Sequence, residues 1–158
     1  MTGHLVLTTL HANNAHSAID RLRNFGIEDD LLSDNLLAVT AQRLVHRLCP
    51  NCSQSVDYKG PYTAHFDYVS KPGNCEQCNS GFQGRVLVQE ILSKNDELRS
   101  MIAQGKNSKE IRNLQLKQGV FQDIFHYGIN LVRTGKTNVE ALEESLGPLV
   151  EAFDLNQH

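Results

Sequence analysis

The apolar positions in the first third of the chain predict one strand and two helices. Residues 5–10 (LVLTTL) form a short β-prone run with polar residues on both sides, which is typical of a buried strand that ends in a loop. One of the two asparagines that follow can cap a helix over residues 15–26, which ends at Gly26. Residues 28–48 space their apolar side chains by three and four, which predicts a second helix that runs directly into Cys49.

The second half of the chain is predicted to contain one strand followed by helices. Residues 84–92 (GRVLVQEIL) have strand character, with Val86 and Val88 on one side and Glu90 as a candidate for the same side. The predicted helices cover residues 95–104, 108–118, 121–133 and 137–146. A glycine ends each of them, at Gly105, Gly119, Gly135 and Gly147. The pattern therefore indicates a mixed α/β fold with a mainly helical C-terminal part.

The composition indicates an ordinary globular protein. The chain has 158 residues, of which 40% are hydrophobic and 21% charged, enough for one domain or for a core with a small satellite module. No stretch approaches the roughly 20 apolar residues of a membrane helix, and the start has no features of a secretory leader, so we expect a cytoplasmic protein. The net charge of −3 gives no global positive field that would attract nucleic acid or anionic lipid.

All four cysteines lie in one loop, residues 49–81, which shows no sustained hydrophobic period. They form two Cys-x-x-Cys pairs that are separated by 22 residues: Cys49, Cys52, Cys75 and Cys78. Thiols stay reduced in the cytosol, so this pattern favours a metal site over a disulfide framework. We expect the metal, rather than apolar packing, to order the loop.

The spacing of the cysteines fits a structural zinc site. Two residues between ligands let one tight turn present both sulfurs at about 2.3 Å from Zn²⁺, and four thiolates leave no position open for catalysis. Reactive dithiols or unconnected reduced cysteines are the alternatives. A nucleic-acid-binding zinc module is disfavoured, because the charges between the two pairs cancel and no basic helix follows them.

Three stretches of the sequence together resemble the secretion traffic ATPases. These stretches are TGHLVLTTLHANNAHSAIDRL, AQRLVHRLCPNC and CEQCNSGFQGR followed by QEIL. The family comprises the hexameric motors of type II secretion and of type IV pilus assembly, and the cysteines place the chain in its zinc-containing branch. The resemblance covers nearly the whole chain. It departs from the family pattern at residues 86–88 and at Asn74, where the family commonly has other residues.

The first of these stretches is similar to the His box of the family, which implies that His4 and His11 are its functional histidines. An imidazole at the end of a strand can bond a γ-phosphate or hold a catalytic carboxylate. His11 follows His4 by seven positions, an odd number, so an uninterrupted strand would place them on opposite faces. We therefore expect His11 to be the more important. A buried or surface histidine with a purely structural role is the alternative for both.

The resemblance also implies a division of the chain and a set of partners. It assigns residues 1–48 to the C-terminal part of a RecA-like ATPase core, with a partial sheet, and 49–81 to the zinc-binding tetracysteine loop. Residues 82–158 would form a returning strand and a helical C-terminal subdomain. The full-length parent would bind ATP and Mg²⁺, form a homo-hexamer and contact inner-membrane platform proteins from the cytoplasmic side, as a peripheral protein. No nucleic-acid partner is expected.

The 158 residues contain no Walker A motif (G-x-x-x-x-G-K-[ST]), and no residue is assigned to nucleotide binding. The similar RTGKTN at residues 133–138 lacks the first glycine and the preceding strand, so we predict a turn between two helices. The chain therefore resembles a C-terminal piece of a motor, without ATPase activity of its own. The alternative is a free-standing zinc-stapled interaction module, and the reading frame upstream would distinguish the two.

Overall fold

The computed structural model describes residues 3–150, which form a mixed α/β structure. The elements of the first half are α1 (Ser17–Asn24), α2 (Asp29–Asn35), β1 (Ala38–Leu48), β2 (Gln54–Asp57) and β3 (Tyr68–Lys71). Those of the second half are β4 (Phe82–Ser93), α3 (Asp96–Ala103), α4 (Ser108–Lys117), α5 (Ile124–Arg133) and α6 (Val139–Leu146). This confirms the predicted α/β class and the mainly helical C-terminal part.

The strands form two small sheets. Strand β1 pairs with β4, and β2 pairs with β3 in an antiparallel hairpin whose register runs from Gln54 opposite Lys71 to Asp57 opposite Tyr68. The chain divides into two compact units. The first contains the residues up to Ala41 and Ile91–Phe121, and the second contains Gln42–Glu90 and the residues from Gln122 on. The division expected from the family, at residues 48/49 and 81/82, stays a prediction.

The first unit has a core built by its four helices and the end of β4. The buried apolar side chains are Ala15, Ile19, Leu32, Leu92, Leu98, Met101, Ile102, Ile111 and Phe121. The imidazole of His16 lies among them, with its Nε2 2.8 Å from the side-chain oxygen of Gln115 and its ring edge against Phe121. A buried polar ring is tolerated there because it has these partners.

Side chains and glycines define the helix ends. Helix α1 begins where the side chain of Asn14 accepts a hydrogen bond from the backbone N–H of Ser17 at 2.8 Å. Helix α5 ends in a Schellman motif, with Gly135 at φ +68°. The N–H of Gly135 donates a hydrogen bond to the carbonyl of Val132, and the N–H of Lys136 donates one to the carbonyl of Leu131. Residues 133–138 therefore form a turn between α5 and α6, which confirms the sequence-based prediction.

The second unit has a core to which the cysteine loop contributes. Its buried apolar side chains are Val45, Phe66, Val69, Val88, Ile129, Leu131, Val132, Val139, Ala141, Leu142 and Leu149. Phe66 and Val69 belong to the hairpin between the two cysteine pairs, and the guanidinium of Arg133 lies over the Phe66 ring. The expectation that metal rather than apolar packing orders this loop is therefore wrong for the hairpin.

The hairpin is also held by polar contacts to α6. The hydroxyl of Tyr62 donates a hydrogen bond to the carboxylate of Glu143. The same carboxylate oxygen accepts a hydrogen bond from the backbone N–H of Leu149 at 3.0 Å. Glu143 therefore joins the hairpin to the segment that follows α6.

Two predictions for the first part of the chain are wrong. Residues 5–10 form no strand, and Leu5, Val6 and Leu7 are 73%, 76% and 87% exposed. A strand needs a neighbour for its backbone groups, and within residues 3–150 no strand is paired with this segment.

The predicted helix over residues 28–48 is also wrong beyond Asn35, where α2 ends and the chain continues into β1. The β-branched residues of β1 favour an extended chain, and its partner strand supplies the backbone hydrogen bonds. Val39 and Ala41 are half-buried at alternate positions, and Val45 and Leu48 are buried further along the strand. Pairing with β4 therefore prevails over the helical spacing of the leucines.

Strand β4 confirms the predicted inward face. Val86 is half-buried, whereas Val88, Glu90 and Leu92 are buried, at every second position. Glu90 is only 2% exposed, and its carboxylate accepts a hydrogen bond from the backbone N–H of Ile124 at 3.0 Å. The acidic side chain therefore occupies a core-facing position because it caps the beginning of α5.

Candidate metal centre

The two cysteine pairs lie at the ends of strands in the second unit. Cys49 directly follows β1, and its N–H donates a hydrogen bond to the carbonyl of Gly81 at 2.8 Å, just before β4. Cys52 lies two residues before the start of the β2–β3 hairpin, and the second pair follows the hairpin. The hairpin thus returns the chain to its starting point and places the second pair beside the first.

The four sulfur atoms form one compact cluster. Sγ–Sγ distances are 3.8 Å between Cys49 and Cys75, 3.6 Å between Cys52 and Cys78, and 3.5 Å between Cys75 and Cys78. All four lie within 4.8 Å of one another. A tetrahedral ion with ligands at about 2.3 Å requires sulfurs about 3.8 Å apart. The four cysteines predicted as ligands are therefore clustered to hold a metal ion.

The thiols differ in burial and in proton affinity. Cys49 is buried and the other three are half-buried. Burial, followed by hydrogen bonds with the other thiols, raises the pKa of Cys52 to about 12. Hydrogen bonds with the backbone at Cys75 and at Gly81 lower the pKa of Cys78 to about 7. The cluster therefore favours a thiolate at Cys78, whereas a cation that binds Cys52 must displace its proton.

Backbone and side-chain groups around the cysteines support the same geometry. The backbone at Gln77 hydrogen-bonds the Cys75 thiol, as expected for a neighbour of a metal ligand. The carbonyl of Cys49 accepts a hydrogen bond from the N–H of Ser53 at 3.0 Å, which closes the first turn. The side chains of Asn51 and Gln77 hydrogen-bond each other across the two pairs.

The predicted catalytic histidines belong to the first unit, whereas the cysteines belong to the second. His4 and His11 are both exposed, on either side of the segment 5–10. His11 lines a shallow cavity of about 200 Å³ together with Asn13, Ser17, Asp20 and Arg21, and with Ala12 and Asn24. The cavity thus contains acceptors, donors and a guanidinium beside the imidazole.

A second cavity, of about 420 Å³, was not predicted from the sequence. It is lined by His46, Lys71, Pro72, Phe82, Asn138, Glu140, Ala141 and Glu144. Four separate segments of the second unit contribute to it, and His46 packs against Phe82 with ring centroids 5.6 Å apart. The one signal in the sequence is the pair of glutamates four residues apart, which share one face of α6.

Comparison with known proteins assigns the family. The sequence model of the type II/IV secretion system proteins matches residues 1–145, and the chain belongs to this family. It is 41% identical to the type II secretion system protein E of Dickeya dadantii over 72% of the chain, and 38% identical to that of Klebsiella pneumoniae over 96%. It is 33% identical to the type IV pilus assembly ATPase TfpB of Acinetobacter baylyi over 89% of the chain.

The chain spans less than a third of these relatives. The matched regions are 24% of the Dickeya protein, 32% of the Klebsiella protein and 26% of the Acinetobacter protein. Within residues 3–150, no helix combines the length and the apolar character that crossing a membrane requires.

Proposed function

We propose that the chain is the C-terminal part of a hexameric motor ATPase that powers type II protein secretion or type IV pilus assembly. The observation that supports this most is the family match over residues 1–145, which includes both histidines and all four cysteines. Relatives named for both systems match it at comparable identity, so the choice between the systems is left open. This part of the motor is proposed to lie in the cytoplasm, where partner proteins hold it peripherally at the inner membrane.

The ion proposed for the four cysteines is Zn²⁺. The donor set of four thiols and the sulfur spacing fit it, and thiolate ligands select zinc over magnesium or calcium. When bound, zinc would link the two cysteine pairs to each other. Cys49, Cys52, Cys75 and Cys78 would fill all of its positions, so the role is structural.

His11 and His4 are proposed to act in ATP hydrolysis in the full-length motor. His11 is exposed and therefore accessible to a phosphate group, and the guanidinium of Arg21 lines the same cavity. The segment between the histidines exposes Leu5, Val6 and Leu7, and apolar side chains in such a run are normally covered. We propose that the preceding part of a longer protein covers this segment, as a sheet partner, and supplies the ATP and Mg²⁺ site.

The partners proposed for the motor are neighbouring subunits of a homo-hexamer and the platform proteins of the inner membrane. By itself, the chain is not expected to hydrolyse ATP, because its 158 residues lack the phosphate-binding loop and its lysine.

A chimera with a full-length relative tests this function. The chain would replace the matching C-terminal region of the Klebsiella protein, and ATP turnover would be measured for the chimera, for its His11→Ala and His4→Ala variants and for His65→Ala as an exposed control. We expect the chimera to hydrolyse ATP. His11→Ala should lower turnover about tenfold or more, since a hydrogen bond to a charged group contributes roughly 1.5–3 kcal/mol.

Two results would contradict the proposal. A folded chimera without ATP turnover, beside an active parent, would show that the chain cannot serve as this part of the motor. Normal turnover and normal thermal stability in His11→Ala would show that the histidine has no catalytic role.

A further inference from the structure

The backbone of Gly73 lies directly against the first cysteine pair. A Cβ at this position would be 2.0 Å from the carbonyl oxygen of Cys52 and 3.0 Å from its Cβ. The first distance is far shorter than any normal contact and the second is tighter than most, and the nearest atom is backbone, which cannot rotate away. Glycine is therefore the one residue type that lets the segment before Cys75 approach Cys52 this closely.

The side chains of Asn51 and Gln77 join the two pairs a second time. The amide nitrogen of Asn51 donates a hydrogen bond to the amide oxygen of Gln77 at 2.5 Å. Each residue stands immediately before the second cysteine of its pair, so the bond connects equivalent points of the two turns. It lies on the exposed side of the cluster, whereas Cys49 is buried.

The two contacts act on the distances that a metal ion requires. Two of the contacts between cysteines of different pairs are Cys49 to Cys75, at 3.8 Å, and Cys52 to Cys78, at 3.6 Å. These distances depend on the separation of the two turns, whereas the distance within a pair is set by the turn itself. A tetrahedral thiolate site requires about 3.8 Å, so a shift of one turn by an ångström would disturb the sulfur–sulfur distances between the two pairs together.

We propose that Gly73, Asn51 and Gln77 are positioning residues of the metal site, which hold the two cysteine pairs at tetrahedral spacing through contacts that involve no sulfur. The inference rests on the proposed metal function. Gly73 determines how closely the two turns can approach each other. The hydrogen-bonded side chains of Asn51 and Gln77, the amide pair, restrain the turns from shifting past each other. Together they reduce the rearrangement that metal binding requires and slow the release of the metal.

The test uses the full chain with cobalt and zinc as probes. Co²⁺ replaces the metal after chelation under reducing conditions, and its visible bands report tetrahedral thiolate coordination, while zinc release is followed with a coloured chelator. The variants are Gly73→Ala, Asn51→Ala, Gln77→Ala and the double amide variant. Asn74→Ala and Glu76→Gln are the matched controls, because both residues are exposed and flank Cys75.

The expected effects differ in size. Gly73→Ala should weaken cobalt binding about tenfold or more and alter its visible bands, because overpacking against backbone forces the turns apart. Each amide variant should release zinc about threefold to tenfold faster, as loss of one hydrogen bond implies. The double variant should release it no faster than the single ones, since they remove the same bond. The controls should stay within about twofold of wild type.

Wild-type release rates in both amide variants would overturn the role of the amide pair, and unchanged cobalt affinity and bands in Gly73→Ala would overturn that of the glycine. If Gly73→Ala does not fold, the surface amide variants still decide the proposal. Failure of the metal function itself is recognised separately, because the wild-type chain would then give no tetrahedral thiolate spectrum with cobalt.

Discussion

The carboxylate of Glu90 on β4 accepts a hydrogen bond from the backbone N–H of Ile124, at the first residue of α5. Asp123 caps the same helix end through the N–H of His126. Two acidic side chains thus satisfy N–H groups that a helix leaves without intrahelical partners, where the helix dipole also favours negative charge.

Replacing Glu90 by Ala should therefore destabilise the second unit by about 2 kcal/mol, because a buried hydrogen bond to a charged acceptor is lost. Glu90→Gln should cost less, since its amide oxygen can still accept the bond. Urea denaturation followed by circular dichroism measures both, with the exposed Glu144→Ala as control. A loss for Glu90→Ala no larger than for the control would contradict this account of the buried carboxylate.

Arg23 connects α1 to three other parts of the first unit: α2, α3 and the loop between α3 and α4. Its guanidinium bonds the carboxylate of Asp29 at 2.6 Å and the carbonyl of Lys106 at 2.7 Å, with a longer bond to the carbonyl of Ile102. Arg23→Lys should lower the free energy of unfolding by about 1–2 kcal/mol, because a lysine cannot reproduce the planar set of donors.

The control for Arg23 is Arg21→Lys, since Arg21 is exposed and lies over the ring of Phe25. We expect its effect to stay within about 0.5 kcal/mol. Thermal unfolding of the three proteins distinguishes the two positions. Equal melting temperatures for wild type and Arg23→Lys would show that the network contributes no stability.

The sequence allowed the elements with local signals to be predicted. Helices α3 to α6 have their own caps and glycine ends, and the inward face of β4 follows from alternation at Val86, Val88 and Glu90. The cysteine cluster followed from ligand type and spacing alone. The helix caps and the strand alternation are each contained in a short stretch of sequence. The spacing of the four cysteines is specific because few sites other than metal sites use it.

The failures concern elements that depend on distant partners. Strand β1 pairs with β4, which begins more than thirty residues later, and the leucines of residues 28–48 fit a helical period as well as a strand. The burial of Phe66 could not be predicted, because the loop around it shows no period and Arg133, whose guanidinium lies over its ring, belongs to the distant helix α5. The cavity around His46 could not be predicted for the same reason, because the four segments that line it are far apart in the sequence.

Removal of the metal should loosen the cysteine turns but not the hairpin between them. The hairpin is held by Phe66, Val69 and the bond from Tyr62 to Glu143, none of which involves sulfur. After chelation, amide exchange at Ser53 should therefore become at least about tenfold faster, whereas the N–H of Tyr58, bonded to Asp67 in the hairpin, stays protected.

Phe66→Ala provides the converse experiment. It should cost about 3 kcal/mol through the cavity it leaves and expose the hairpin amides, while the cysteines still bind metal. If chelation removes the protection of amides in the turns and in the hairpin together, the hairpin is not anchored independently of the turns. The metal would then order the whole loop.

We propose that one zinc ion is held by Cys49, Cys52, Cys75 and Cys78, and the metal content of the purified chain tests this without any intermediate step. Elemental analysis of protein that has never met a chelator should give one zinc per chain, and the same analysis of Cys75→Ser should give far less, with the helical content largely retained. A wild-type content well below one zinc per chain, or an equal content in Cys75→Ser, would contradict the claim.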